Sequence, residues 1–202
     1  MDEREKLDWE PVKTEHIVQD RWIDFRKTEF RMPDGSLLGP FYNYSRRSYV
    51  VIIASDEAGR FLCVRQYRQG IGRVTTEFPA GGIEPGGGSG QDVAPDFITQ
   101  PDEGADEEEA LEAAVRELRE ETGYVSDCWS HVITAPSDAT ISDNYAHIFR
   151  AKNCRKAGGQ ELDDSEYLHV ELKSPEQIDG LIREGGFQQI VHMLGWMLVK
   201  GE

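Results

Sequence analysis

The chain lacks any run of 18 apolar residues, so no segment reads as a membrane-spanning helix. It also lacks a basic, apolar, small-residue leader at its start. The expectation is a soluble, cytoplasmic protein that does not engage a membrane. Cysteine is scarce. Cys63, Cys128 and Cys154 are widely spaced and fit neither a disulfide framework nor a zinc motif. They read as buried small hydrophobes or bystanders. Five histidines, with no metal-site spacing among them, read as structural. Positive charge is in deficit, with 22 Lys and Arg against 38 Asp and Glu and a net charge of −16. That deficit argues against nucleic acid as a partner, because phosphate contacts need a basic surface. At 202 residues the chain suffices for one domain with a real core, with or without a small appendage.

What the sequence does have is acid in one place. Residues 102–121 hold ten acids and two arginines, whereas 60–73 hold four arginines (Arg60, Arg65, Arg68, Arg73) and no acid. The acidic stretch reads as a helix, because Ala110, Leu111, Ala114, Val115 and Leu118 recur at the spacing of one apolar face. Asp106 with Glu109 three residues on is a capping start, and Gly123 a stop. Glu117 and Glu121 fall about 40° apart on this helix, with Glu120 on the same flank. Like charges at this spacing repel by about a few tenths of a kcal/mol. A hard divalent cation with oxygen ligands would compensate. A solvated acidic face screened by Arg116 and Arg119 is the plainer alternative.

The text before the helix bears on that choice. Residues 77–86 read E-F-P-A-G-G-I-E-P-G and 116–124 read R-E-L-R-E-E-T-G-Y. Together they resemble the two halves of the box that defines the Nudix hydrolases. The second half matches at every fixed position: Arg116, Glu117, Leu118, Glu120, Glu121, Gly123 and Tyr124. Glu108 falls where the first Glu of the pattern belongs. Gly81 lies 35 residues before Arg116 instead of 14, and the extra residues fall across 87–107. An insertion in a surface loop is tolerated, since closing a longer loop costs little. Residues 87–107 read as a flexible excursion, with Val93, Phe97 and Ile98 as its only apolar anchors.

Along the chain, residues 16–32 read as one or two strands and Pro33-Asp34-Gly35 as a turn into 36–44. Residues 48–55 read as a buried strand, 56–59 as a hairpin turn and 60–68 as the returning strand. After the acidic helix, 130–135 and 144–151 read as strands around a loop at 136–143, and 166–172 as another. Ser174-Pro175-Glu176-Gln177 is a helix start with cap, Pro and closing Gln. Residues 187–199 read as a closing helix, with Ile190, Met193, Leu194, Met197 and Leu198 on its apolar face. This order agrees with a mixed sheet packed between helices. The resemblance implies the same α/β class, a Nudix-type α/β/α sandwich over residues 46–202. Residues 1–45 would be a small β extension of the kind that helps build homodimers in ADP-ribose-type members.

The resemblance is specific enough to imply a site. Glu117 and Glu121 would bind Mg²⁺, or Mn²⁺ in its place, with Glu120 as a ligand or outer contact and the Ala80 carbonyl completing the shell. Arg116 would orient the carboxylates, and Gly81 and Gly82 would let the loop backbone come close to the metal. Arg65-Gln66-Tyr67-Arg68 resembles a segment of ADP-ribose pyrophosphatases in which an Arg matching Arg68 contacts the diphosphate. Glu77 matches a position kept near the substrate, where it serves either the ligand or a structural hydrogen bond. The Glu that relatives carry in the loop before the 144–151 strand is absent. Ser142-Asp143-Asn144 stands there, leaving Asp138 or Asp143 as substitutes or as ordinary turn residues. The implied reaction is Mg²⁺-dependent hydrolysis of a diphosphate linkage in a nucleotide sugar, ADP-ribose to AMP and ribose 5-phosphate first among them. GDP-mannose, NADH and dinucleoside polyphosphates are alternative substrates. A non-catalytic module that senses a nucleotide is the alternative role. Trp22, Phe41, Tyr42 and Tyr44 are either stacking platforms for a base or core aromatics.

Overall fold

A computed structural model of the chain describes residues 7–20, 22–84, 107–163 and 166–201. The inserted stretch at 87–106, with Val93, Phe97 and Ile98, and the capping Asp106 lie outside the described residues. Among the described residues, those up to Arg47 together with Pro136–Asn144 make one compact unit, and the others make a second.

The first unit is a three-stranded antiparallel sheet of β1 (Glu10–Gln19), β2 (Asp24–Arg31) and β3 (Leu37–Ser45). The polar start of β1, six residues before the apolar alternation becomes readable, pairs Glu10 with Arg31 across the sheet. Both turns are made by aspartates. Asp20 Oδ1 accepts the amides of Trp22 (2.7 Å) and Ile23 (3.0 Å). Asp34 Oδ1 accepts that of Ser36 (2.9 Å), with Gly35 at φ +85°. Every residue of β1 is exposed. Trp22, Phe41 and Tyr42 are exposed as well, so they are not core aromatics. Phe41 instead packs its ring on Trp9, 5.4 Å between centroids.

The second unit carries the sheet that positions the site. It comprises β4 (Tyr49–Asp56), β5 (Phe61–Arg68), β6 (Arg73–Glu77), β7 (Ala80–Gly82), β8 (Tyr124–Val125), β9 (Cys128–Pro136), β10 (Tyr145–Lys156) and β11 (Leu168–Lys173). The order is β11-β5-β4-β10-β8, with β6 on β5, β7 on β4 and β9 on β10. The sheet is mixed: β4 and β10 run parallel, and the other registered pairs are antiparallel. Alternation along β4 explains the layers. Val50, Ile52 and Ala54 face one cluster, with Ala110, Ala113, Ala114 and Leu118 of helix α1 (Glu107–Thr122). Val51 and Ile53 face the other, with Ile178 of α2 (Pro175–Glu184) and Val191, Trp196 and Val199 of α3 (Ile190–Val199). The result is helix, sheet, helices. Cys63 and Cys154 belong to these cores, whereas Cys128 is exposed.

Two helices present different faces from those the spacing suggests. On α1, Val115 is 43% exposed, and the buried stripe continues from Ala110, Ala114 and Leu118 into Glu117 and Glu121. On α3, Ile190, Leu194, Met197 and Leu198 point outward, and His192, Gly195 and Trp196 point inward. That helix is apolar nearly all round, so periodicity cannot choose a face. Shape decides instead. At Gly195 the helix lies tight against the sheet, and a Cβ there would stand 2.9 Å from Ile148 and 3.1 Å from Ile53.

Candidate active site

The β4–β5 hairpin opens like a fork. The two strands are registered at Ser55 and Phe61, after which β5 takes β6 as its partner and β4 takes β7. The segment Glu77-Phe78-Pro79-Ala80 crosses the opening, and each of its residues is held. Glu77, with no exposure, receives Arg68 Nε at 2.9 and 3.1 Å and Nη2 at 2.6 Å. Phe78 N donates to His192 Nδ1 at 3.2 Å, Pro79 O accepts from Ile52 N at 2.9 Å, and Ala80 N donates to Glu121 Oε2 at 3.0 Å. Glu77 thus forms a buried ion pair with Arg68. One third of the Arg68 side chain remains exposed.

Helix α1 lays its acids against this segment. Glu117 and Glu121 are buried, at 8% and 2% exposure, while the Glu120 side chain is 37% exposed on the open flank. Arg116 Nη2 bridges Glu117 Oε1 (2.9 Å) and the Gly82 carbonyl (3.0 Å), with Nη1 3.8 Å from Glu120. Gly81 sits directly on Glu117, and a Cβ there would overlap the carboxyl group. Gly123, at φ +69°, stops the helix, and a Cβ on it would strike the carbonyls of Gly158 and Gly159.

Burial makes these carboxylates reluctant to ionise. It pushes Glu117 up to about 7, against Arg116, which favours the charged form, and with help from Glu120, Glu166 and Asp163. Burial raises Glu121 well above the usual range, partly offset by the Ala80 amide. Glu120 is raised as well, again first by burial. Glu161, Asp163 and Glu166 are therefore a second acidic group bearing on the first. Sequence reasoning missed them, because they lie on a connection with no motif of its own. A shallow cleft of about 550 Å³ on the outer flank of α1 lies between the groups, lined by Leu111, Val115, Arg116, Arg119, Glu120 and Glu161.

The remaining candidates lie in the first unit. Asp143 accepts from Arg26 Nη2 (3.0 Å) and from Ser45, and Arg26 also pairs with the buried Asp24 (3.1 Å). Asp138 makes a turn, its Oδ1 accepting from Thr140 N at 3.3 Å. Of the histidines, His16 lies against Asp24, and His131 and His147 lie against Thr134.

Among the described residues, no three His, Cys, Asp or Glu side chains converge into a ready metal-holding group. Two buried carboxylates one helical turn apart nonetheless suit one kind of ion. Mg²⁺ is commonly held through one or two carboxylates and completes its shell with water and substrate phosphate. The charge such an ion brings would relieve the desolvation that Glu117 and Glu121 carry.

The chain matches the NUDIX domain family over residues 45–191. It is 25% identical over 171 residues to the ADP-ribose pyrophosphatase of Bacillus subtilis (strain 168), covering 81% of this chain and 77% of the relative. It is equally identical, over 175 residues, to the methanol dehydrogenase activator of Bacillus methanolicus, covering 83% and 80%. Among solved structures, that of an ADP compounds hydrolase superposes with a TM-score of 0.72 at 17% identity, over 97% of this chain and 95% of the other. At that identity the likeness is one of fold.

Proposed function

The chain belongs to the Nudix family, and we propose that it hydrolyses the diphosphate linkage of a nucleotide sugar, ADP-ribose to AMP and ribose 5-phosphate, with Mg²⁺. Family members generally use divalent metal ions. The observation that carries this reading is the buried Glu117–Glu121 pair, closed over by Gly81 and Ala80 and flanked by Arg68. The name of the B. subtilis relative supports the choice of ADP-ribose.

Glu117 and Glu121 would hold the cation, with Ala80 and Glu120 as further donors. Such an ion, when bound, neutralises phosphate charge and lowers the pKa of bound water. Arg116 keeps Glu117 oriented through the Gly82 carbonyl. Arg68, fixed on one edge by Glu77, offers its exposed part to the diphosphate. Of the two loop acids, Asp143 is committed to Arg26 and Ser45 and Asp138 to a turn, while the charge of Glu166 bears on both buried glutamates. The exposed apolar side chains of the N-terminal sheet (Trp9, Ile17, Val18, Leu37, Leu38) support a homodimer. A cytoplasmic setting belongs to the same proposal; no helix among the described residues is long and apolar enough to cross a membrane.

The test is product analysis with ADP-ribose, GDP-mannose, NADH and a dinucleoside polyphosphate, with and without Mg²⁺. AMP and ribose 5-phosphate, formed fastest from ADP-ribose and only with the ion, are expected. Binding across the panel without turnover would favour a nucleotide sensor.

A further inference from the structure

His192 lies on α3, across the sheet from α1, and is 3% exposed. Its Nδ1 faces the Phe78 amide at 3.2 Å. A backbone N–H can only donate, so Nδ1 must present a lone pair and the ring must be neutral. Its surroundings agree: burial first, and the Arg68 charge second, push its pKa down to about 3. Two residues beyond Phe78, the Ala80 amide donates to Glu121. The sheet itself also holds the segment by main chain, with Ile52 N donating to Pro79 O and with Glu77 and Ala80 in register with Val64 and Val51. Of the side chains hydrogen-bonded to it among the described residues, Arg68 and Glu121 belong to the site and His192 reaches it from the opposite layer, where Phe187 and Trp196 also pack on the Phe78 ring. Gly195, one turn on, lets α3 approach closely enough for that tie to form.

The geometry points to His192 as a positioning residue that reaches the acidic site from the opposite layer of the fold, accepting the Phe78 amide and so setting where the Ala80 amide meets Glu121. Its effect on cation affinity rests on the function proposed above, whereas its effect on the Glu77–Ala80 segment does not. Loss of a group that hydrogen-bonds a metal ligand typically changes metal affinity or activity by about 10–100-fold, and His192, acting two residues from Ala80, belongs at the lower end of that range.

The test compares wild type, His192→Phe and His192→Gln in the full-length protein. His192→Phe keeps an aromatic ring but offers no acceptor, while His192→Gln restores an acceptor oxygen. Three quantities are read: Mn²⁺ affinity by calorimetry, amide exchange at Phe78 and Ala80, and kcat and KM on ADP-ribose. We expect His192→Phe to weaken Mn²⁺ binding about tenfold, to speed exchange at both amides, and to lower kcat more than it raises KM. His192→Gln should recover most of each. The proposal is overturned if exchange at Phe78 and Ala80 is unchanged in His192→Phe, or if both variants lose the same amount. A wild type that binds no divalent ion would refute the function instead, and the exchange comparison would still decide the role of His192.

Discussion

Glu117 rests on Gly81 with no space between them for a methyl group. Gly81 has an ordinary backbone conformation, so the need for glycine here is one of contact and not of φ. Gly81→Ala should push the Glu117 carboxylate off its seat and away from Arg116. Activity should fall by at least about 100-fold, with only a small drop in melting temperature, because the atoms that must give way are the far end of a flexible side chain. Gly82→Ala, where a Cβ meets nothing within 4 Å, is the matched control and should retain its stability.

The pKa of Glu117 makes stability depend on pH in an unusual direction. Its folded pKa, about 7, lies above its ordinary value of 4.5. Between those values the folded protein holds a proton that the unfolded chain has released, so stability falls as pH rises from about 4.5 to about 7. Glu121 acts in the same direction. Melting temperatures of metal-free protein should therefore decline across this window. Glu117→Gln should flatten the decline by on the order of 3 kcal/mol, and Mg²⁺ should restore the wild type most at the upper end.

Arg68 holds the buried Glu77, and substitution can separate that role from the proposed contact with the diphosphate. Removing Arg68 leaves Glu77 buried without its partner, which typically costs about 3–5 kcal/mol. Arg68→Ala should accordingly lose both stability and activity. The double variant Arg68→Met/Glu77→Leu should recover much of the melting temperature but keep a raised KM for ADP-ribose. Recovery of KM as well would show that Arg68 matters only to the fold.

What the sequence shows of this protein follows from how local each signal is. The Ser174 cap, Pro175 and Gln177 lie within one turn, and the structure has both hydrogen bonds of that capping box. The acidic helix is legible for the same reason. The strands β6, β7 and β8 are not, because five, three and two residues carry no alternation. The Arg68–Glu77 pair depends on register, since β5 must pair with β6 before two residues nine apart can meet. The inward face of α3 is hidden in a helix that is apolar nearly all round. The acids at Glu161, Asp163 and Glu166 show their bearing on α1 only after the connection before β11 returns to it.

The central claim is that Glu117 and Glu121 tolerate burial together because they hold a divalent cation. Its most direct measurement is the anomalous signal of Mn²⁺ in crystals grown with a non-hydrolysable ADP-ribose analogue. We expect a peak bonded to both carboxylates and to the diphosphate, absent in Glu121→Gln, whose kcat should fall by orders of magnitude. Glu117 still turned to Arg116 and Glu121 to the Ala80 amide, with no peak and with the analogue elsewhere, would contradict the claim.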